Sequence, residues 1–291
     1  MKTLNIIGSG RVGRACGRLW TRARVFEIQD VLTRSQESAE EGVKFIGAGQ
    51  AVGGLGEMRS ADAWMIATRD DAIVPSCVTL AATDKITPDD IVFHVSGATP
   101  SGDLKPVKAR GALIASVHPI KTFTDAEAAA RTFPGTFCSA EGDEEALRVL
   151  KPAFEKIGAK VFDIAPELKP VYHSGGVLAC NYLAALIEAA LQAHEKAGIP
   201  RNASLKALEP MVRETVDAIF AKGPAKALTG PISRGDVVTV RRQFAEVRSW
   251  DPRIGELYRG LGLIAVSLAE SDQRIDVARA AALRAALSSK T

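Results

Sequence analysis

The chain has 291 residues, 46% of them hydrophobic and 24% charged, with a formal net charge of +3. That length spans two ordinary domains, and the composition is that of a globular protein. So small a charge, with no lysine or arginine run, argues against nucleic acid as a partner. In chain order, "TLNIIG" predicts a buried strand, residues 11 to 20 a helix and "FEIQDVLT" a second strand. "EGVKFIG" predicts a helix end and a short strand, "ADAWMIAT" a strand ending at Thr68, and "DDAIVPSCVTLAAT" a helix. "DIVFHVSG", "GALIASVHP", "GTFCSAEG" and "AKVFDI" predict four further strands, the last two flanking the helix "DEEALRVLKPAFEKIG". Apolar runs separated by helices imply parallel strands covered on both faces.

After Ile164 the pattern changes to long stretches with helical spacing, punctuated at Gly198-Ile199-Pro200, Gly223-Pro224 and Gly230-Pro231. The expected fold is α/β: an N-terminal domain (residues 1–164) with a doubly wound, mainly parallel sheet, then a C-terminal all-α domain (residues 165–291). The terminal "SSKT" is expected to fray.

Cys16, Cys77, Cys138 and Cys180 include no CxxC pair, so they read as small buried side chains in a reducing cytoplasm. His94, His118, His173 and His194 form no HxxxH or HxH pair, and no metal is expected. "MKTLNIIGSG" runs from the first methionine into a strand and turn, so no signal peptide is expected. The alanine-rich helices read as broken by charges, short of an uninterrupted membrane-spanning run, and no membrane partner is expected.

"GSGRVG" (residues 8–13) follows the first strand and opens a helix, the context in which GxGxxG is informative. Gly8 permits the tight turn, Gly10 lets a pyrophosphate approach, and Gly13 allows close helix–strand packing, with Ser9, Arg11 and Val12 between them. The amides at the helix start favour phosphate. About twenty residues on, where many dinucleotide-binding proteins carry an acid for the ribose, the chain reads Thr33-Arg34-Ser35. Glu27 and Asp30 come too early, inside the strand. A guanidinium there suits a 2′-phosphate, with the Thr33 and Ser35 hydroxyls as further donors, so NADP(H) is expected over NAD(H).

Three strands end in polar residues: Thr68-Arg69-Asp70-Asp71, His94-Val95-Ser96-Gly97 and His118-Pro119. Ligands of a doubly wound sheet sit at such ends. Thr68 can touch the ribose, Ser96 and Gly97 the substrate or nicotinamide ribose, and His118 can bind a carboxylate or move a proton. The plainer alternative, stronger for His94, is a polar strand cap.

"LKPVYHSGGVLACNYL" (residues 168–183) opens the second domain. Pro170 suits a first helical turn, which sets Lys169 at the threshold and His173, Gly176 and Cys180 on one stripe flanked by Asn181. Gly175 and Gly176 cost helix stability, so close packing by a cofactor or the first domain is expected. Lys169 and His173 are the types that stabilise and protonate a carbonyl or imine receiving hydride. A surface lysine and a buried structural amide at Asn181 are the alternatives. In "LTGPISRGD", Arg234 can clamp a carboxylate and Asp236 can pair with Arg234 or Lys169; alternatively Ser233 or Asp236 caps the helix from Val237.

These segments resemble known proteins. The order of domains is that of the 6-phosphogluconate, β-hydroxyacid, ketopantoate and pyrroline-5-carboxylate reductases. "SVHPIKTF" (116–123), "KPVYHSGGVLACNYL" (169–183) and "GPAKALTGPISRGD" (223–236) are similar to the Rossmann-like and DUF2520 proteins, over nearly the whole chain. In the β-hydroxyacid and ketopantoate relatives a catalytic lysine is followed four residues later by asparagine or aspartate; Lys169 matches, and His173 departs. The resemblance also implies a homodimer through the helical domain.

The expectation is an NADPH-dependent reductase of a small, carboxylated ketone or imine, working where the two domains meet. Lys169 and His173 are the catalytic candidates; Ser96, His118, Asn181, Arg234 and Asp236 are the substrate contacts. Oxidation of a 3-hydroxy acid or prephenate-like substrate, and a non-catalytic NADP-binding sensor, stand as alternatives.

Overall fold

A computed structural model describes residues 1–288; residues 289–291, most of the tail expected to fray, lie outside it. The chain begins β1 (Lys2–Ile7), α1 (Arg11–Ala23), β2 (Phe26–Leu32), α2 (Gln36–Ile46), β3 (Gln50–Val52), β4 (Ala63–Ile66) and α3 (Asp70–Ala81). It continues with β5 (Ile91–His94), the single turn α4 (Lys105–Lys108), β6 (Leu113–Pro119), α5 (Ala126–Arg131), β7 (Phe137–Gly142), α6 (Glu144–Glu155) and β8 (Lys160–Asp163). Then come α7 (Lys169–Gly176), a π turn (Val177–Asn181), α8 (Tyr182–Lys196), α9 (Arg201–Lys222) and α10 (Pro224–Ala227). The chain closes with α11 (Val237–Trp250), α12 (Pro252–Ser271) and α13 (Val277–Ser288).

The strands form one sheet in the order β3-β2-β1-β4-β5-β6-β7-β8. Order reverses between β1 and β4, which makes a crevice beyond their carboxyl ends. The strand expected within "EGVKFIG" forms at Gln50–Val52 instead, because Glu41 to Ile46 complete α2. The helices pack by apolar stripes. On α1, Ala15, Cys16 and Trp20 are buried, and the Trp20 ring meets Phe26 and Phe154 edge-on at 5.3 and 5.1 Å. Its indole nitrogen donates to the Ala153 carbonyl at 3.0 Å, which satisfies the one polar atom of the ring.

Within the mainly parallel sheet one pairing is reversed: β7 runs antiparallel to β6, with Ser116 opposite Glu141 and His118 opposite Ser139. A parallel return needs a crossover to the far end of the sheet. The connection here stays near the end where β6 finishes, since Ala129 and Ala130 of α5 pack on Ala15 of α1, and Ile120 donates to the Phe137 carbonyl.

The chain divides into two compact units, Met1–Cys180 and Asn181–Thr291. The division falls later than the composition change near residue 165, because Lys169 at the start of α7 is tied to β6 and β7. In the second unit, Val240, Phe244, Val266, Ala269, Ala280 and Leu283 from α11, α12 and α13 make a core. The α8–α9 hairpin is joined by His194 Nδ1 and Ser204 Oγ at 2.7 Å.

Two sequence expectations are corrected here. Cys16, Cys77 and Cys138 are buried, but Cys180 is exposed. Within the helical run Pro166–Lys196 an 18-residue window reaches a mean hydropathy of 1.4, which by length and composition suffices to cross a membrane, and 6% of that window is buried. No Lys, Arg, Asp or Glu interrupts it between Lys169 and Glu188, so the charges expected to break it fall at its ends.

A methyl added at Gly13 would lie 2.5 Å from the Gly8 carbonyl oxygen, a backbone atom fixed at the end of β1. Gly13→Ala should therefore lower unfolding free energy by about 1–3 kcal/mol, the usual cost of overpacking, read as a shift of the urea midpoint at constant slope.

Candidate functional site

A cleft of about 640 Å³ opens beyond β1, β2 and β4. Gly8, Ser9 and Gly10 line one side, Thr33, Arg34, Ser35 and Ser38 another, and Thr68, Arg69 and Asp71 a third. Gly8 sits at φ +97°, and a side chain there would strike the Ala67 backbone at 2.7 Å. The packing of the chain thus demands Gly8 and Gly13. At Gly10 an added methyl would meet only the Ala67 carbonyl, at an ordinary 3.8 Å. Gly10 is open for a ligand to approach. It also starts α1 with no side-chain cap and no acid in the first turn, so the first amides are available to an anion.

Arg34 is exposed on the wall of this cleft and has no hydrogen-bond or ion-pair partner among the described residues. The other cationic residues nearby are engaged: Arg11 with the Phe123 carbonyl at 3.2 Å, Arg14 with Glu41 at 3.1 Å, and Arg69 with Asp71 at 3.1 Å. Asp30 is buried, accepting from the Arg59 guanidinium at 2.6 Å and from its amide at 2.7 Å, so no free carboxylate competes there.

The hydroxyls expected to assist Arg34 are partly spoken for. Thr33 donates to the Ser35 carbonyl at 2.8 Å, and the Ser35 oxygen caps α2 by accepting from Ser38 at 3.3 Å. The Ser9 hydroxyl accepts from Arg14 at 3.3 Å and packs over Gly42, Val12 packs against the core, and the Arg11 side chain turns to Phe123. Thr68 lines the cleft with its hydroxyl 3.2 Å from the Arg69 carbonyl.

A second cluster lies at the ends of β5 and β6 with α7. His118 Nδ1 is 3.0 Å from the Tyr172 hydroxyl, and the His118 and His173 rings stand 5.8 Å apart. Gly97 is wedged between them: a methyl there would fall 2.5 Å from His173 Cδ2 and 2.6 Å from His118 Cε1. Beneath these rings Lys169 is fully buried, hydrogen-bonded to the Ser116 hydroxyl and 3.2 Å from Glu141 Oε1. Burial pushes the lysine down from its usual range, and Glu141 pulls it back up. Burial, with His173 and Lys169 adding like charge, lowers His118 to about 4. Burial and Lys169 lower His94 to about 3. Both imidazoles are neutral at pH 7.

Residues 2–119 match the model of a Rossmann-like domain and residues 136–264 that of DUF2520, a domain of unknown function. The chain carries a Rossmann-like domain followed by a DUF2520 domain. A Thermotoga maritima protein superposes with a TM-score of 0.75 at 25% identity, covering 93% of this chain and 100% of that one. A Bacteroides fragilis protein assigned to the NADP oxidoreductases gives 0.68 at 20% identity, covering 92% and 98%. The Plasmodium falciparum pyrroline carboxylate reductase with NADP bound gives 0.55 at 13% identity, covering 99% and 98%. A comparison with curated proteins found no match.

The DUF2520 match supplies Glu141, Lys169, Tyr172 and His173, and the Rossmann-like match supplies Ser96, Ser116 and His118. Ser96 is itself buried, its oxygen accepting from the Ala98 and Thr99 amides at 3.2 and 3.0 Å. The threshold lysine of the sequence is thus an interior one. Gly175 and Gly176 have open space beside them, so none of the described residues supplies the close packing expected there. The stripe His173–Gly176–Cys180 is interrupted, because the π turn from Val177 widens the helical repeat. Asn181 is exposed, against the alternative of a buried amide. In the rest of the DUF2520 domain, Arg234 is exposed and Asp236 caps α11, its carboxylate accepting from the Thr239 amide at 3.0 Å and hydroxyl at 2.7 Å. Asp236 forms no ion pair with Arg234 or Lys169 among the described residues; the capping alternative describes it.

Glu141, Ser116 and Tyr172 escaped the sequence reading. One signal was present: Ser116 and His118 alternate along β6, and Ser139 and Glu141 along β7, a polar period of two inside apolar strands.

His118 and His94 have folded pKa values near 4 and 3 against 6.5 when unfolded, so the unfolded chain binds more protons throughout that interval. Stability should be full above about pH 6.5 and decline as pH falls towards 4. His118→Asn should flatten the decline of melting temperature over that range; an unchanged slope would show that His118 is protonated in the folded protein.

Proposed function

We propose that the chain is an NADPH-dependent reductase of a small, carboxylated ketone or imine. The observation that carries this reading is Arg34, unpartnered among the described residues, on the wall of a cleft whose other end is an uncapped glycine turn. The amides from Gly10 onward suit the pyrophosphate, and Arg34 suits the 2′-phosphate of the adenosine. NADPH, when bound, supplies the hydride. The NADP bound by the Plasmodium reductase, a protein of the same fold, accords with this.

The chain's own part is to manage charge and a proton. Tyr172 and His118 form a hydrogen-bonded pair at the strand ends, with His173 alongside, and the pair offers a path by which a proton reaches the reduced oxygen or nitrogen. Lys169 is too deeply buried to touch a substrate; its charge helps to lower His118 and His94. Arg234, exposed and unpaired among the described residues, is the candidate for the substrate carboxylate, and Asn181, also exposed, is the further candidate contact. The apolar side chains left exposed on α8 and α9, among them Leu183, Leu205, Met211 and Phe220, support a second copy of the chain as partner.

A second reading has its own support. A neutral His118 is ready to take a proton from a hydroxyl, which favours oxidation of a 3-hydroxy acid or prephenate-like substrate. The pH profile separates the two directions. If His118 delivers the proton, reductive kcat/KM rises as pH falls from about 7 towards 5; if it accepts one, oxidative kcat/KM is flat over the same interval.

Fluorescence titration tests the cofactor. The wild-type chain should bind NADPH more tightly than NADH, and Arg34→Ala should weaken NADPH by about tenfold to a hundredfold, the worth of a charged hydrogen-bonding contact. NADH affinity should stay within about twofold, since it lacks that phosphate. Equal loss for both cofactors, or no NADPH binding by wild type, overturns the reading.

A further inference from the structure

We infer that the buried Lys169–Glu141 pair is a clamp on the loop of residues 96–101, and that Glu141 is a positioning residue for the imidazole pair, His118 and His173, against which the loop packs. The clamp stands on geometry alone; its bearing on turnover rests on the function proposed above.

The loop is held at both ends by the same ion pair. At its far end, Glu141 Oε1 accepts from the Ser101 amide at 2.8 Å and Oε2 from the Ser101 hydroxyl at 2.6 Å. At its near end, Lys169 donates to the Ser116 hydroxyl, and that hydroxyl donates to the Ser96 carbonyl at 3.3 Å. The two halves join where Lys169 Nζ meets Glu141 Oε1 at 3.2 Å. Between the anchors the loop folds on itself, with Ser96 Oγ accepting from the Ala98 and Thr99 amides. Its apex is Gly97, which leaves no room for even a methyl beside His118 and His173. A loop displaced by a few tenths of an ångström therefore moves against both rings.

Burial energetics favour this use over a stabilising one. Two charges taken out of water cost several kcal/mol each in effective terms, and apolar residues of like size often serve stability equally well. The pair here is fully spent on fixed partners: both glutamate oxygens, the lysine and two serines are buried. Lys169 also begins α7, so the same ammonium sets the register of the helix that presents Tyr172 and His173 three and four residues on. One interior ion pair thus fixes the loop, the two strands and the helix around a single cluster.

The test is hydrogen exchange on the full chain. In the double variant Glu141→Met/Lys169→Met no charge is stranded, so it should fold with a melting temperature near wild type. Exchange of the amides from 97 to 101 should speed up by about tenfold or more, the loss of one to two net hydrogen bonds, while amides of β1 and β4 keep their wild-type rates. Ser101→Ala is the second variant, leaving both charges in place. It should speed exchange at the same amides and shift the His118 and His173 ring-proton resonances. A folded double variant, or Ser101→Ala, with the loop as protected as in wild type overturns the clamp. So does Lys169→Met with an intact loop and no turnover, which would put the lysine on the substrate. NADPH titration of the wild type runs alongside: failed binding removes the proposed function, and the exchange rates still decide the clamp.

Discussion

Backbone must approach backbone where α1 leaves β1, and only glycine allows it. The added methyl that would strike Gly8 from Gly13, and the one that would strike Ala67 from Gly8, fix the start of α1 against the ends of β1 and β4. That contact sets where the helix's first amides emerge. It also holds open the crevice at the strand reversal, because no side chain rises from the turn to fill it. The glycine between them is unneeded by the packing, and it faces the space that the other two create.

Charge is distributed to the same effect. Most cationic groups around the cleft are tied down, and Asp30, the acid nearer the carboxyl end of β2, is buried under Arg59. Arg34 stands out because its neighbours are satisfied. At the other cluster the arrangement is inverted: the cation, Lys169, is interior and saturated, and the neutral imidazole of His118 is what remains nearer the surface. An exposed guanidinium suits a ligand phosphate, and a buried ammonium suits the ordering of its surroundings.

These two clusters lie on one sheet, at the carboxyl ends of neighbouring strands, β1, β4, β5 and β6. The antiparallel turn of β7 matters to the second cluster, because it brings Glu141 opposite Ser116. Had β7 run parallel, its polar alternation would meet β6 in a different register, and Lys169 would lack its buried counter-charge.

What the sequence by itself determined is what local pattern encodes: the strand–glycine turn–helix opening, the alternation of strands and helices up to residue 164, the helical remainder, and Arg34 in place of a ribose acid. Each depends on residues within a few positions of one another, so spacing alone exposes it. Only the tertiary structure decided that Lys169 is interior, that Asp236 serves as a cap, that the helix after Gly176 shifts phase, and that Cys180 is exposed. It also supplied Glu141, Ser116 and Tyr172. The physical reason is distance along the chain: Ser101, Glu141 and Lys169 are remote in sequence, and a charge buried among remote partners carries no local signature until strand register and helix docking bring them into contact.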